Sequence, residues 1–295
     1  MAVCDRRRSD FIAADYARSR RFVVARRRIA GRARVRYSLP GGVVAERDAG
    51  LSISTVLAGH SHLDALVGNR RVAELELRPL DGAEGVFVLD GPQRRDETFW
   101  ERLIVEAPGR NIGFAWNGNE HNALFLFRPS PEFDFVSRHV PGLKEDVQIV
   151  PQAAIAERFR KNSLNVLETW LHRLREAGPR QLALIGGPAP KRENARLRAL
   201  LAGEQFYANQ IERLGSTPET IAITDSSIRL KLWRLLQDLN QETAAKFGAI
   251  YIGTPEETMD ADGFLKVEYW NADLTHANSA YGRVMLAKTL GELSP

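Results

Sequence analysis

From Leu51 onward the chain is built of short apolar runs separated by amphipathic stretches, the pattern of strands alternating with helices around one sheet. Strands are predicted over residues 54–58, 72–77, 85–89, 111–116, 181–185 and 249–252. Helices are predicted over 96–106, 153–177 and 226–246, with a last one starting near Asn278. Pro129, Pro131 and Pro141 punctuate an irregular stretch containing Phe133, Asp134 and Phe135, read as an insertion over one edge of the sheet. No fixed-period repeat interrupts the pattern. The expected architecture is an α/β domain over 51–295, a three-layer α/β/α sandwich with a mainly parallel central sheet.

Charge has to be placed before it is used. The 295 residues carry a formal net charge of +4, but residues 1–40 hold 12 Arg against three Asp, leaving 29 basic and 34 acidic residues in the rest. The predicted domain is therefore mildly acidic, and a nucleic-acid partner is not expected. Residues 1–50 read as a basic Arg-rich extension, expected to be disordered, or as upstream sequence from a misjudged translation start. Ser19-Arg20-Arg21-Phe22 only glances at a twin-arginine signal, and the longest apolar stretch there is Phe22-Val23-Val24-Ala25. A cytoplasmic location is the expectation. No apolar run approaches the length of a membrane helix. The single cysteine, Cys4, excludes an intrachain disulfide and a CxxC pair.

Three clusters fall just beyond predicted strands or in the final loop, where open α/β sheets place their sites. They are Gly59-His60-Ser61-His62, Gly118-Asn119-Glu120-His121 and Asp273-Leu274-Thr275-His276. A serine between strand and helix presents a hydroxyl and a helix-terminal amide that can hold an oxyanion, although a helix N-cap is the commoner role of such a serine taken alone. Asn119 can donate to the same oxyanion or serve a turn beside Gly118. Asp273 and His276, three apart, can pair so that the second ring nitrogen faces a nucleophile. An N-capping Asp in an exposed loop is the plainer reading.

Taken in order, Gly-x-Ser, Gly-x-Asn and Asp-x-x-His resemble the SGNH hydrolases, the GDSL-type esterases and lipases. The closing segment Asp273-Leu-Thr-His276-Ala-Asn278-Ser-Ala-Tyr281-Gly282 extends the likeness, which covers roughly residues 53 to 290. The resemblance implies a flavodoxin-like sheet and a serine hydrolase that cleaves a carboxylic ester, with no cofactor and no metal. It implies Ser61 as nucleophile, His276 as base and then acid, and Asp273 as the residue fixing the imidazole. The oxyanion hole would comprise the Ser61 amide, the Asn119 side chain and a glycine amide, assigned to Gly91 with Gly85 as the alternative. One departure is His60, where the family carries Asp. His60, His62 and His121 are read as polar packing or substrate contacts, and His139 and His172 as surface residues without an apparent partner.

The substrate expected is a small-molecule or carbohydrate ester, such as an acetylated sugar. Trp100, Trp116, Trp270, Phe133 and Phe135 are candidates to line its cleft, with core packing the commoner role of such rings. The loop 186–190 is expected to border the site. An O-acyltransferase would use the same residues. Two further alternatives are a decayed carbohydrate-binding protein, motivated by His60, and a two-metal phosphoesterase, motivated by the GHSH and GNEH strings.

Overall fold

The computed structural model describes residues 53–68, 72–128, 131–201 and 203–293, together with the backbone of three strands nearer the N-terminus. By its contacts the chain divides into Met1–Ser52 and Ile53–Pro295. In the first unit Ala25–Ile29, Arg32–Ser38 and Val44–Arg47 form an antiparallel sheet, with Ala25 opposite Arg36 and Val35 opposite Arg47. The rest of the leader, on which most of the expectation of disorder falls, lies outside the described residues.

The central sheet of the second unit has six strands: β1 (Thr55–Gly59), β2 (Glu76–Pro79), β3 (Val86–Asp90), β4 (Asn111–Ala115), β5 (Gln181–Ile185) and β6 (Ile250–Ile252). Their order across the sheet is β6-β5-β4-β1-β3-β2. All neighbours are parallel except β2, which runs antiparallel to β3. Counted without that edge strand, the order is the 2-1-3-4-5 of flavodoxin-like sheets. The parallel strands inside the edge strand β6 are buried on both faces, which is why they read as apolar runs.

Side chains alternate between the two faces. Val56, Ala58, Ile112, Phe114, Leu182 and Leu184 pack with α2 (Glu97–Glu106), α5 (Asn165–Glu176) and α8 (Ser226–Lys246). Leu57, Ala115, Ala183 and Ile185 face Leu63, α1 (Asp64–Val67) and α9 (Ser279–Glu292). The expected three-layer sandwich is what forms.

Local departures from the sequence reading have physical causes. The second strand lies at Glu76–Pro79 rather than 72–77, because its register is set by β3, with Glu76 opposite Asp90 and Pro79 opposite Phe87. Pro79, lacking an N–H, is tolerated on this edge. The single helix predicted over 153–177 is α4 (Gln152–Phe159) and α5 joined by a π-turn, Arg160–Leu164. Among the helices without a counterpart in the prediction are α6 (Asn194–Leu201) and α7 (Gln205–Arg213). They bury Leu197, Leu201, Tyr207 and Ile211 in a small separate cluster that also takes Leu126, Phe127 and Leu274. The irregular stretch sends Phe135 into the main core, and Asp134 pairs with Lys231 of α8 at 2.9 Å, both side chains buried. No helix among the described residues is long and apolar enough to cross a membrane.

Candidate active site

The exits of β1 and β4 touch because the last residue of β1 has no side chain. Gly59 has φ +129°, and a Cβ there would strike the backbone of Ala115, with the Ala115 nitrogen at 2.6 Å. His60 then donates its amide to the Ala115 carbonyl at 2.9 Å. From β1 the chain leaves toward β3, and from β4 it leaves toward β5, on opposite sides. The crevice between their carboxyl ends is the switch point of the sheet, where such folds bind ligands.

Ser61 opens a 3-10 turn, Ser61–Leu63, directly beyond β1. His60 occupies the cap position, so the N-cap reading of Ser61 does not hold; its amide is a first-turn donor with no acceptor inside the turn. The exposed Ser61 hydroxyl lies 2.8 Å from His276 Nε2, and His276 Nδ1 lies 3.1 Å from Asp273 Oδ2. A carboxylate accepts only, so Nδ1 carries the proton and Nε2 presents its lone pair to the Ser61 hydroxyl. Asp273 does more than this. Its Oδ1 accepts the backbone amides of Thr275 (2.9 Å) and His276 (2.6 Å), and Oδ2 takes a bond from Asn271 Nδ2 at 2.8 Å. Burial pushes the Asp273 carboxyl up, but donation from the His276 ring and these amides outweighs it and holds the group well below the usual carboxylate range.

The loop carrying Asp273 is fixed from three directions. Asn278 caps α9 by accepting from the amides of Ala280 and Tyr281, while its Nδ2 donates to the carbonyls of Glu268 and Trp270. Leu274 is buried against α6 and α7, and its amide donates to Glu204 at 2.9 Å. Buried Lys191 donates through Nζ to the carbonyls of Asn271 (2.9 Å) and Asp273. Burial lowers its pKa to about 8, against the raising effect of Asp273 and Glu204. Neither Lys191 nor Glu204 carried a local sequence signal.

The other named residues divide into those at the crevice and those beneath it. Asn119 begins α3 (Glu120–Phe125) without a side-chain capping bond and lines, with Ser61 and His276, a cavity of about 450 Å³. Gly91 lines a second cavity, about 680 Å³, with His60 and Ser61. Arg94 braces the Gly91 turn by bridging Asp90 (2.7 Å) and Asp64 of α1 (2.6 Å). Gly85 is excluded as the alternative, because its carbonyl accepts the Ser54 and Thr55 amides at the opposite end of the strands.

His62 stands beside the His276 ring, centroids 4.7 Å apart, and lines the cavity with it. Burial, then the neighbouring His276 and His121, hold its pKa well below the ordinary value. His60 is packed between Trp116 and Trp100 at 4.7 and 5.6 Å, and its Nδ1 accepts the Asn117 amide at 3.1 Å. Burial and the Arg95 charge lower it to about 4, so it is a neutral acceptor tying the Asn117–Asn119 turn to the serine turn. His121 is a correction: it is buried, does not line the cavity, and burial followed by the Arg229 charge lowers it to about 3. Of these two neighbours in the chain, it is Asn119 that lines the cavity.

The aromatic candidates also move inward. Trp100, Trp116, Trp270 and Phe135 are buried core residues, and Trp100 stacks on Trp170 at 5.7 Å. Phe133 is half-buried against Phe125. The exposed ring at the cavity rim is Phe206 of α7, which the sequence reading did not include. The 186–190 loop does border the site, with Gly187 packed on Gly118 and Pro188 lining a third cavity beside Ser61. His139 has a partner after all, Asp238 at 2.7 Å, while His172 stays on the surface near Glu176. No group of three or more His, Cys, Asp or Glu among the described residues is disposed to hold a metal ion.

No family of known proteins matches the chain, and no curated protein does. Among solved structures, a Streptococcus pneumonia protein provisionally described as a platelet activating factor overlaps 83% of this chain and 86% of its own. The two are 12% identical with a TM-score of 0.38, too loose a superposition to identify a family.

Proposed function

We propose that the chain is a serine esterase of SGNH type that cleaves a carboxylic ester. The observation that carries this reading is the continuous hydrogen-bonded line from Asp273 through His276 to an exposed Ser61 hydroxyl at the sheet's switch point. Ser61 Oγ attacks the ester carbonyl as its proton passes to His276 Nε2. The tetrahedral oxyanion is held by the Ser61 amide, the Gly91 amide and the Asn119 side chain. His276 then gives its proton to the departing alcohol, leaving an acyl-Ser61. Water, deprotonated by the same nitrogen, releases the acid and restores the hydroxyl.

A decayed binding protein needs no 2.8 Å contact between hydroxyl and imidazole, and its presence favours the catalytic reading. Replacement of the family's Asp by His60 leaves this line intact, since His60 bonds the Asn117 amide and takes no part in it. The test is labelling by a fluorophosphonate. Wild type should be labelled and Ser61→Ala should not; labelling that persists in the variant rejects Ser61 as the nucleophile.

A further inference from the structure

The two cavities lined by Ser61 share one cation that forms no ion pair among the described residues, although its charge reaches the Glu120 carboxyl, lowering it against the larger effect of burial. Arg95 lines both the 680 Å³ cavity along the Gly91–Asp96 turn and the 450 Å³ cavity between α3, α7 and His276. Its neighbours are committed: Arg78 to Asp90 at 2.6 Å, and Arg94 to Asp90 and Asp64. Arg95 has no ion pair, hydrogen bond or ring contact among the described residues. The acidic groups around the smaller cavity are already engaged. Glu120 is held by Asn162 and Ser163, Glu204 by the Leu274 amide, and Asp273 by its own loop. A planar, permanently charged fork left open beside a reactive hydroxyl is suited to a carboxylate, which it can hold by two parallel bonds.

The two cavities also differ in a way that orients a substrate. The larger one holds Gly91 but not His276, whereas His276 borders the smaller, and Arg95 stands where the two meet. The alcohol must leave within reach of His276 Nε2, so the acyl part extends the other way, past Gly91 toward Arg95. Resting on the esterase reading above, we propose that Arg95 is an anion subsite for the acyl group, so that the preferred substrate is a half-ester of a short dicarboxylic acid.

The test compares 4-nitrophenyl monosuccinate with its methyl ester, which has the same reach without the charge. Wild type should favour the anion in kcat/KM by about tenfold or more, the size of one charge-assisted contact. In Arg95→Gln the ratio should collapse toward one, and in Arg95→Glu it should invert, with circular dichroism checking that both variants fold. A wild-type ratio of one or below, or an unchanged ratio in Arg95→Gln, overturns the subsite. If wild type turns over neither compound, the esterase reading fails separately. The subsite is then decided by titration calorimetry with succinate against succinamide. An Arg95-dependent preference for the dianion retains it, and equal binding, or equal preference in Arg95→Gln, removes it.

Discussion

Gly282→Ala is a one-methyl change that the packing of α1 on α9 does not admit. A Cβ at 282 would lie 2.8 Å from the Leu66 nitrogen and at less than half the 3.4 Å of ordinary contact from the Ala65 carbonyl oxygen. Both are backbone atoms, so no rotamer change relieves the clash and the helices must part by about 1.8 Å at that point. α1 starts three residues after Ser61 and α9 starts three after His276, so the separation is transmitted to the 2.8 Å contact between them. A misplacement of about 1 Å can cost about a hundredfold in rate. Overpacking of this kind costs about 1–3 kcal/mol, and for a domain of this size each kcal/mol is about 2–4 °C in Tm. The expected outcome is a folded protein melting several degrees lower, with kcat on 4-nitrophenyl acetate down by about two orders of magnitude. Activity within about threefold of wild type, with Tm unchanged, would refute the link between helix spacing and the site.

Lys191→Met should lower kcat by about tenfold, because the loop bearing Asp273 loses its two charge-assisted bonds. Since burial brings Lys191 to about 8, wild-type kcat/KM should fall above that pH as the ammonium is lost. That alkaline limb should vanish in the variant, and a limb that survives would show Lys191 is not its source. Stability should fall in acid for a separate reason. His60 and His121 are depressed to about 4 and about 3, so the unfolded chain takes up protons first. Their contribution is complete above the ordinary imidazole value of about 6.5 and is lost at about 1.4 kcal/mol per pH unit for each ring as pH falls toward those values. Urea midpoints that stay level between about pH 7 and 5 would contradict this.

The strands buried on both faces could be read within a residue or two, because an unbroken apolar run leaves little freedom in placing them. The edge strand β2 could not, since only its pairing with β3 fixes where it starts. The π-turn at Arg160–Leu164 lies inside an uninterrupted helical pattern, and it is what carries Asn162 and Ser163 to Glu120. At the site, Ser61, Asn119, Asp273 and His276 were legible because their order and spacing are written in the chain. Lys191, Glu204 and Arg95 were not, because each matters only through a neighbour some 30 or more residues away or through a cavity wall. Asn119 and His121 show the limit of reading by proximity. Two positions apart at the start of one short helix, the first borders the cavity and the second is buried.

The bond between Ser61 and His276 spans 215 residues. At roughly 5–20 residues per second of synthesis, the hydroxyl is made roughly 10–40 s before the imidazole that would activate it. A nascent chain on the ribosome therefore carries an inert serine, and any esterase activity would switch on only when its final helix has been added. On the esterase reading, termination before His276 leaves Ser61 without its base, and activity should drop to the residual level that oxyanion stabilisation alone supplies.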